Sequence, residues 1–254
     1  RRMSVVGTLA ILVLAALVAW IMFSRYERAR RLAHRAYHDP LTGLANRALF
    51  FDRTAHALSL ARRRDELVAV ALLDLDEFKL VNDSLGHGFG DSLIVAVGRR
   101  LTDHARESDT VARLGGDEFA ILVEGLGSAL VVEDIARRFH EAFLAPFVIE
   151  GRELRVRVTV GWAVGDATAD VDELLRNADL AMYSGKRQGK DRLSIFEPSM
   201  HRELLERLEL ESDLRDALDN GEMLLHYQPI VSLETGQVVG VEALARWVHP
   251  TRGF

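Results

Sequence analysis

Two acidic clusters, each set at the end of an apolar run, constrain this chain more than anything else in it. The first is Gly115-Gly116-Asp117-Glu118, lying between Val111–Leu114 and Phe119–Val123. A glycine carries no Cβ, so it reaches positive φ and lets another group come close to the main chain. Apolar runs on both sides of such a pair read as the arms of a β-hairpin with the acids at its tip. The second cluster, Asp74-Leu75-Asp76, closes the apolar run Leu67–Leu73 and precedes a helical pattern through Phe78, Val81 and Leu85. An uninterrupted apolar run of strand length reads as a buried strand, and acids at its carboxyl end face the crevice where α/β sheets take ligands.

Placed side by side, strand and hairpin bring Asp74, Asp76, Asp117 and Glu118 together as hard oxygen donors, a set that suits Mg²⁺ rather than zinc or copper. Taken alone, Gly-Gly-Asp-Glu is an ordinary solvated turn, and the second acidic cluster is what makes it a candidate site. The sequence has no cysteine, which excludes thiolate zinc sites and disulfides. Its nine histidines show no ligand spacing on a shared face.

The remaining pattern is that of a compact α/β domain. Leu154, Val156, Val158, Val160 and Trp162 alternate with polar or small residues, the period of a half-buried strand. Helical patterns run over Val132–Leu144, closed by Pro146, and over Val171–Ser184, closed by Gly185, before a last strand near Leu193–Phe196. That order predicts an α+β domain with a β-α-β-β-α-β, ferredoxin-like core.

The segment Asp74-Leu75-Asp76-Glu77-Phe78-Lys79-Leu80-Val81-Asn82-Asp83, then Gly86-His87, Gly90-Asp91 and Arg113–Phe119, resembles the GGDEF domain of diguanylate cyclases in order and spacing. Asp39–Arg47, Ala181-Met182-Tyr183 through Lys186, and Gly189–Arg192 match as well, so the resemblance covers Asp39 to Phe196. It implies a palm-like fold with an extra helix after the hairpin, and an enzyme that condenses two GTP into cyclic di-GMP. By the resemblance, Mg²⁺ (or Mn²⁺) is held by Asp74, the Leu75 carbonyl and Asp117 with Glu118 close by, and Asp117 and Glu118 are the catalytic pair. Asp117 is assigned as the base for the ribose 3′-hydroxyl.

The resemblance places Phe78, Lys79, Asn82, Asp91, Lys186 and Lys190 on the substrate. Asn82 and Asp91 match the guanine-reading pair, and their chemistry fits, since a carboxylate accepts from the guanine edge and an amide both donates and accepts. Without the family register, Asn82 reads as a helix-end cap and Asp91 as the N-cap of a helix over Ser92–Leu101. The lysines match positions that pair with triphosphate oxygens; Lys190 stands where arginine is frequent, which keeps the charge and loses the fork. Arg106 and Asp109 match the family's inhibitory site for product, and read alone they are a surface ion pair. Since each domain holds one GTP, a homodimer is implied. Two other readings stay open: a GTP-binding regulatory domain without turnover, and a cyclic di-GMP receptor.

At the front, Met3–Ser24 contains no charged residue, and its 22 positions reach roughly 33 Å at helical rise. That predicts a transmembrane helix over residues 1–24, with a secretory signal as the rival reading. Arg25, Arg28, Arg30, Arg31 and Arg35 follow the span, so the expectation is a single-span inner-membrane protein with its catalytic domain in the cytoplasm. The chain starts at Arg1 rather than at a methionine, so it reads as a fragment. Residues 25–38 read as a linker helix, in which Tyr26, Ala29, Ala33 and Ala36 form either a two-helix seam or the face of a charged monomeric helix.

Behind the domain expected over 39–196, Met200–Asn220 reads as a charged amphipathic helix. Leu224–Val231 and Val238–Trp247 read as two strands. Glu242-Ala243-Leu244 in the second strand resembles the opening of an EAL phosphodiesterase domain, so residues 197–254 are expected to be a linker helix and an incomplete TIM-barrel fragment. By that resemblance Glu242 is one metal ligand of an incomplete site, which predicts no hydrolysis of cyclic di-GMP by this chain. With 32 basic against 38 acidic residues the net charge is −6, and no broad basic surface invites nucleic acid.

Overall fold

The computed structural model describes residues 17–25, 36–166, 168–251 and 253. It divides into two compact units at Glu197/Pro198, and each is taken by itself. In the first unit the order is α1 (Arg47–Arg64), β1 (Leu67–Leu75), α2 (Phe78–Leu85), α3 (His87–His104), β2 (Thr110–Gly115), β3 (Glu118–Leu126), α4 (Val131–Glu141), β4 (Phe147–Ile149), β5 (Arg152–Leu154), β6 (Val158–Gly165), α5 (Val171–Arg187) and β7 (Leu193–Ile195).

Five strands form one sheet in the order β2-β3-β1-β6-β7. Strand β1 is antiparallel to both β3 and β6, and β7 joins the far edge parallel to β6. The first four strands carry the expected β-α-β-β-α-β topology; α5 and β7 extend it. Alternation along β1 divides the interior into two cores. Ala69, Ala71, Leu73 and Leu75 pack with Leu93, Val97 and Leu101 of α3 and Phe139 of α4. Val68 and Val70 pack on the opposite face with Phe50 and Leu58 of α1 and Leu174 and Ala178 of α5. A sheet covered on both sides explains why the apolar run of β1 is continuous.

The same cover corrects the strand expected to alternate over Leu154–Trp162. Leu154 ends β5, and residues 155–157 lie outside any strand. From Val158 to Ala163 every residue of β6 is buried. Gly161 is the point of closest approach: a Cβ there would stand 2.1 Å from the Ala178 carbonyl oxygen and 2.1 Å from the Met182 nitrogen, so α5 lies directly on the strand. Gly185, expected to stop that helix, lies inside it. Its helix runs to Arg187, and a Cβ on Gly185 would come within 3.0 Å of Ser194 Oγ and of Thr159 Cγ2. Both glycines serve helix-on-sheet packing rather than chain reversal.

The transmembrane helix and the inner-membrane location that followed from it are corrected. Among the described residues no helix is long and apolar enough to cross a membrane. Of the expected span, residues 17–24 belong to a described helical stretch over 17–25, and residues 1–16 lie outside the described residues. Most of the expected linker seam, at Tyr26, Ala29 and Ala33, lies outside them as well.

The second unit holds α6 (Pro198–Asn220) and an antiparallel ribbon of β8 (Met223–Val231) and β9 (Val238–Trp247). A TIM barrel is built of parallel strands joined by helices. What is described here is a two-stranded antiparallel pair, and the expected barrel geometry is absent among the described residues. Ala217 is buried, and Trp247 Nε1 donates to Glu222 Oε2 at 3.2 Å. Glu242 faces Gln228 across the ribbon and is exposed. Leu225, Tyr227, Val238 and Val241 are each about three-fifths exposed, so the ribbon leaves apolar surface bare.

Candidate active site

The hairpin turns through Gly116 and Asp117, with Gly115 paired to Glu118 and Gly116 at φ 51°. The Leu75 N–H donates to the Asp117 carbonyl at 3.4 Å, which ties the turn to the end of β1. Asp74 is the cross-strand partner of Glu118 on one side and of Thr159 on the other. The strand end and the glycine turn are therefore neighbours.

Lys186, from the last turn of α5, places its Nζ 2.7 Å from Asp74 Oδ2. Asp117 is half-buried, and its carboxyl is pushed above the usual range, first by burial and then by the nearby negative charge of Asp74; Lys186 and Arg113 act the other way. Two hard-oxygen carboxylates in electrostatic contact, with an ammonium already seated on one of them, form a donor set that fits a divalent cation. The expected convergence of four acids is narrower than that. Asp76 points to Thr159 Oγ1 and the Asp191 N–H, at 2.9 Å each. Glu118 lines a cavity of about 380 Å³ with Leu114, Leu175 and Asp179. Among the described residues no three acidic or histidine groups stand close enough to cage a cation.

Asn82 of α2 lies against α3 at Gly90, the residue before Asp91. A Cβ on Gly90 would fall 1.9 Å from Asn82 Oδ1 and 3.2 Å from the Phe78 ring, so the absence of a side chain at 90 is what lets Asn82 and Phe78 sit against α3 there. The reading of Asp91 as an N-cap is corrected: α3 begins at His87, after Gly86 at φ 87°, and Asp91 is its fifth residue. Lys79 and Lys190 are exposed. Lys190 Nζ lies 3.4 Å from Glu77 Oε1, and Arg157 reaches the other oxygen of Glu77 at 3.4 Å.

Arg106 is exposed, whereas the Asp109 side chain is buried. Asp109 Oδ2 accepts from the Arg106 N–H at 2.8 Å. Arg138 of α4 reaches the same oxygen at 3.6 Å, and Asp109 Oδ1 is buried without a hydrogen-bond partner. The two residues are thus not a surface ion pair with each other. Arg138 joins this cluster from 29 positions away in sequence, which no local spacing signals.

The turn has a second anchor that the sequence did not expose. Arg113 donates through Nε and Nη2 to the Gly116 carbonyl, at 3.1 and 2.8 Å, and its Nη1 lies 3.1 Å from both oxygens of Asp39. Asp39 also accepts from the Thr42 N–H and hydroxyl. Burial pushes the Asp39 carboxyl up, but these bonds from Thr42 and Arg113 outweigh it and hold it below the usual carboxylate range. A group depressed in the folded state contributes stability that is present above its unfolded pKa and is lost as pH falls through the folded one. Asp39→Asn is expected to cost about 1–2 kcal/mol at neutral pH. It should also flatten the loss of stability on acidification below about pH 4, where the unfolded carboxyl titrates. Denaturant titrations at several pH values check both.

Residues 36–192 match the family described as diguanylate cyclase, GGDEF domain, and residues 211–254 match the EAL domain. The chain is 41% identical over 267 residues to the bifunctional diguanylate cyclase/cyclic di-GMP phosphodiesterase MucR of Pseudomonas aeruginosa, across 98% of this chain and 38% of MucR. It is 35% identical over 262 residues to the cyclic di-GMP phosphodiesterase NbdA of the same organism, across 95% of this chain and 33% of NbdA. The chain therefore spans about a third of the length of these curated relatives. Among solved structures, the GGDEF domain of TpbB (YfiN) from Pseudomonas aeruginosa is 40% identical with a TM-score of 0.63, covering 66% of this chain and 99% of that one. The coiled coil and GGDEF domain of DgcB from Caulobacter crescentus, in complex with c-di-GMP, is 28% identical with a TM-score of 0.63, covering 72% and 96%. With the family matching most of its length and its fold shared with solved members, the chain belongs to the GGDEF family, followed by the opening of an EAL domain.

Proposed function

We propose that this domain is a diguanylate cyclase, condensing two GTP into cyclic di-GMP with release of two pyrophosphates, as a homodimer inhibited by its product. The observation that carries this reading is the strand end at Asp74, bonded to the Lys186 ammonium, lying next to the glycine turn that carries Asp117. Mg²⁺ or Mn²⁺, held by Asp74, the Leu75 carbonyl and Asp117 with Glu118 beside them, would neutralise charge on the triphosphate and the departing pyrophosphate. Asp117, at the turn beside the strand end, takes the proton of the attacking 3′-hydroxyl.

Lys79, Lys186 and Lys190 bind phosphate oxygens. Asn82 and Asp91, beside the Phe78 ring, read guanine; adenine would leave their polar groups unpaired. One domain holds one nucleotide, so two domains must face each other before either 3′-hydroxyl reaches the other α-phosphate. Arg106, with Asp109 and Arg138, holds the product between rounds, arginine supplying paired donors.

Incubation of the protein with GTP and Mg²⁺, followed by chromatography of the nucleotides, tests this. Cyclic di-GMP and pyrophosphate are the expected products. GTP binding without turnover would instead identify a regulatory domain, and product binding without GTP binding a receptor.

A further inference from the structure

The loops that carry the phosphate-binding lysines are held by one carboxylate. Asp76 follows the end of β1, where its N–H continues the ladder to the Arg157 carbonyl at 3.0 Å. Both its oxygens lie 2.9 Å from the Thr159 hydroxyl, and Oδ2 also accepts from the Asp191 N–H at 2.9 Å. Thr159 is fully buried on β6. Its methyl lies against Gly185, one residue before Lys186, at the contact where a Cβ would stand 3.0 Å away. The Gly185 carbonyl in turn accepts from the Lys190 N–H at 3.2 Å.

Backbone strain gathers at the same spot. Glu77, Lys190 and Asp191 are three of the five non-glycine residues with positive φ among the described residues, at 62°, 60° and 49°. Such conformations cost free energy and persist only where surrounding bonds enforce them. Here the enforcing group is identifiable, because Asp76 joins the loop after β1 to the loop before β7.

We propose that Asp76 is a positioning residue for the nucleotide: by clasping Thr159 and the Asp191 backbone it sets where Lys186 and Lys190 meet the triphosphate. This rests on the cyclase reading. The carboxylate is committed to its two donors, which separates it from Asp74, the acid two residues earlier whose partner is the Lys186 ammonium.

The test measures binding of a fluorescent GTP analogue, with steady-state kinetics and Mg²⁺ titration, for Asp76→Asn, Asp76→Ala, Thr159→Val and Thr159→Ser. Loss of a charge-assisted hydrogen bond should weaken nucleotide binding about 10-fold in Asp76→Asn and more in Asp76→Ala. KM should rise accordingly, kcat should fall less, and the Mg²⁺ half-saturation at saturating nucleotide should stay as in the wild type. Thr159→Val should show part of the defect, and Thr159→Ser, which keeps the hydroxyl, should recover wild-type binding. Unchanged nucleotide affinity in Asp76→Ala and Thr159→Val overturns the proposal, as does a shift confined to the Mg²⁺ requirement, which would make Asp76 a cation ligand. A wild-type protein that binds GTP without turning it over would remove the cyclase reading and leave the binding comparison intact. If Asp76→Ala fails to fold, the Thr159 pair decides.

Discussion

Asp117→Ala is expected to reduce cyclic di-GMP formation by about 1,000-fold or more, because in the proposed mechanism it removes the proton acceptor and one carboxylate of the cation site together. GTP binding should fall far less, since Asn82, Asp91 and the lysines stand on other elements. Stability should hold or rise by up to about 1 kcal/mol, as active-site groups held against one another tend to be destabilising. The residue lies at a turn tip, and its carboxyl is raised by burial and by Asp74, so removing it relieves a repulsion rather than opening a core. Nucleotide chromatography with a thermal melt reads both quantities. Product at a tenth of the wild-type rate or better, with the fold intact, would remove Asp117 from the chemistry.

Gly161→Ala should be the most damaging single-methyl change in the domain. The added carbon would enter within 2.1 Å of backbone atoms of α5, at Ala178 and Met182. Neither side can give by rotating a side chain, so the helix must lift from the sheet. Overpacking against backbone on this scale costs roughly 3 kcal/mol, which lowers the melting temperature of a domain this size by about 10 °C. Because α5 also carries Lys186, GTP binding should weaken in whatever fraction stays folded. A melting temperature within 2 °C of wild type would show that the helix is not seated as described.

Much of this architecture was legible in the residues. The apolar run into Asp74 and the paired glycines at 115 and 116 have local causes, namely a strand covered on both faces and a turn needing positive φ. Strand β6 was misread for an equally physical reason. The alternation at Leu154–Trp162 spans a short hairpin arm and a central strand, and a break at residues 155–157 leaves no mark in hydropathy. Gly185 looked like a helix stop because a missing Cβ looks the same whether it serves a turn or a close contact.

The site was half legible. Asp74 and Asp76 look alike in the acid-apolar-acid pattern and part company through partners from distant elements: Lys186 from α5 for the first, Thr159 and Asp191 for the second. Arg113 and Asp39 lie 74 positions apart, and nothing local in either segment names the other.

That last pair has a mechanical consequence. Asp39 opens the folded domain, with the described chain entering through residues 36–38, and it shares its oxygens between Thr42 and Arg113, which itself holds the carbonyl of Gly116. A tug or twist delivered along the incoming polypeptide therefore has a side-chain route to the glycine turn, through the Arg113 guanidinium, besides the backbone ties of residues 45 and 46.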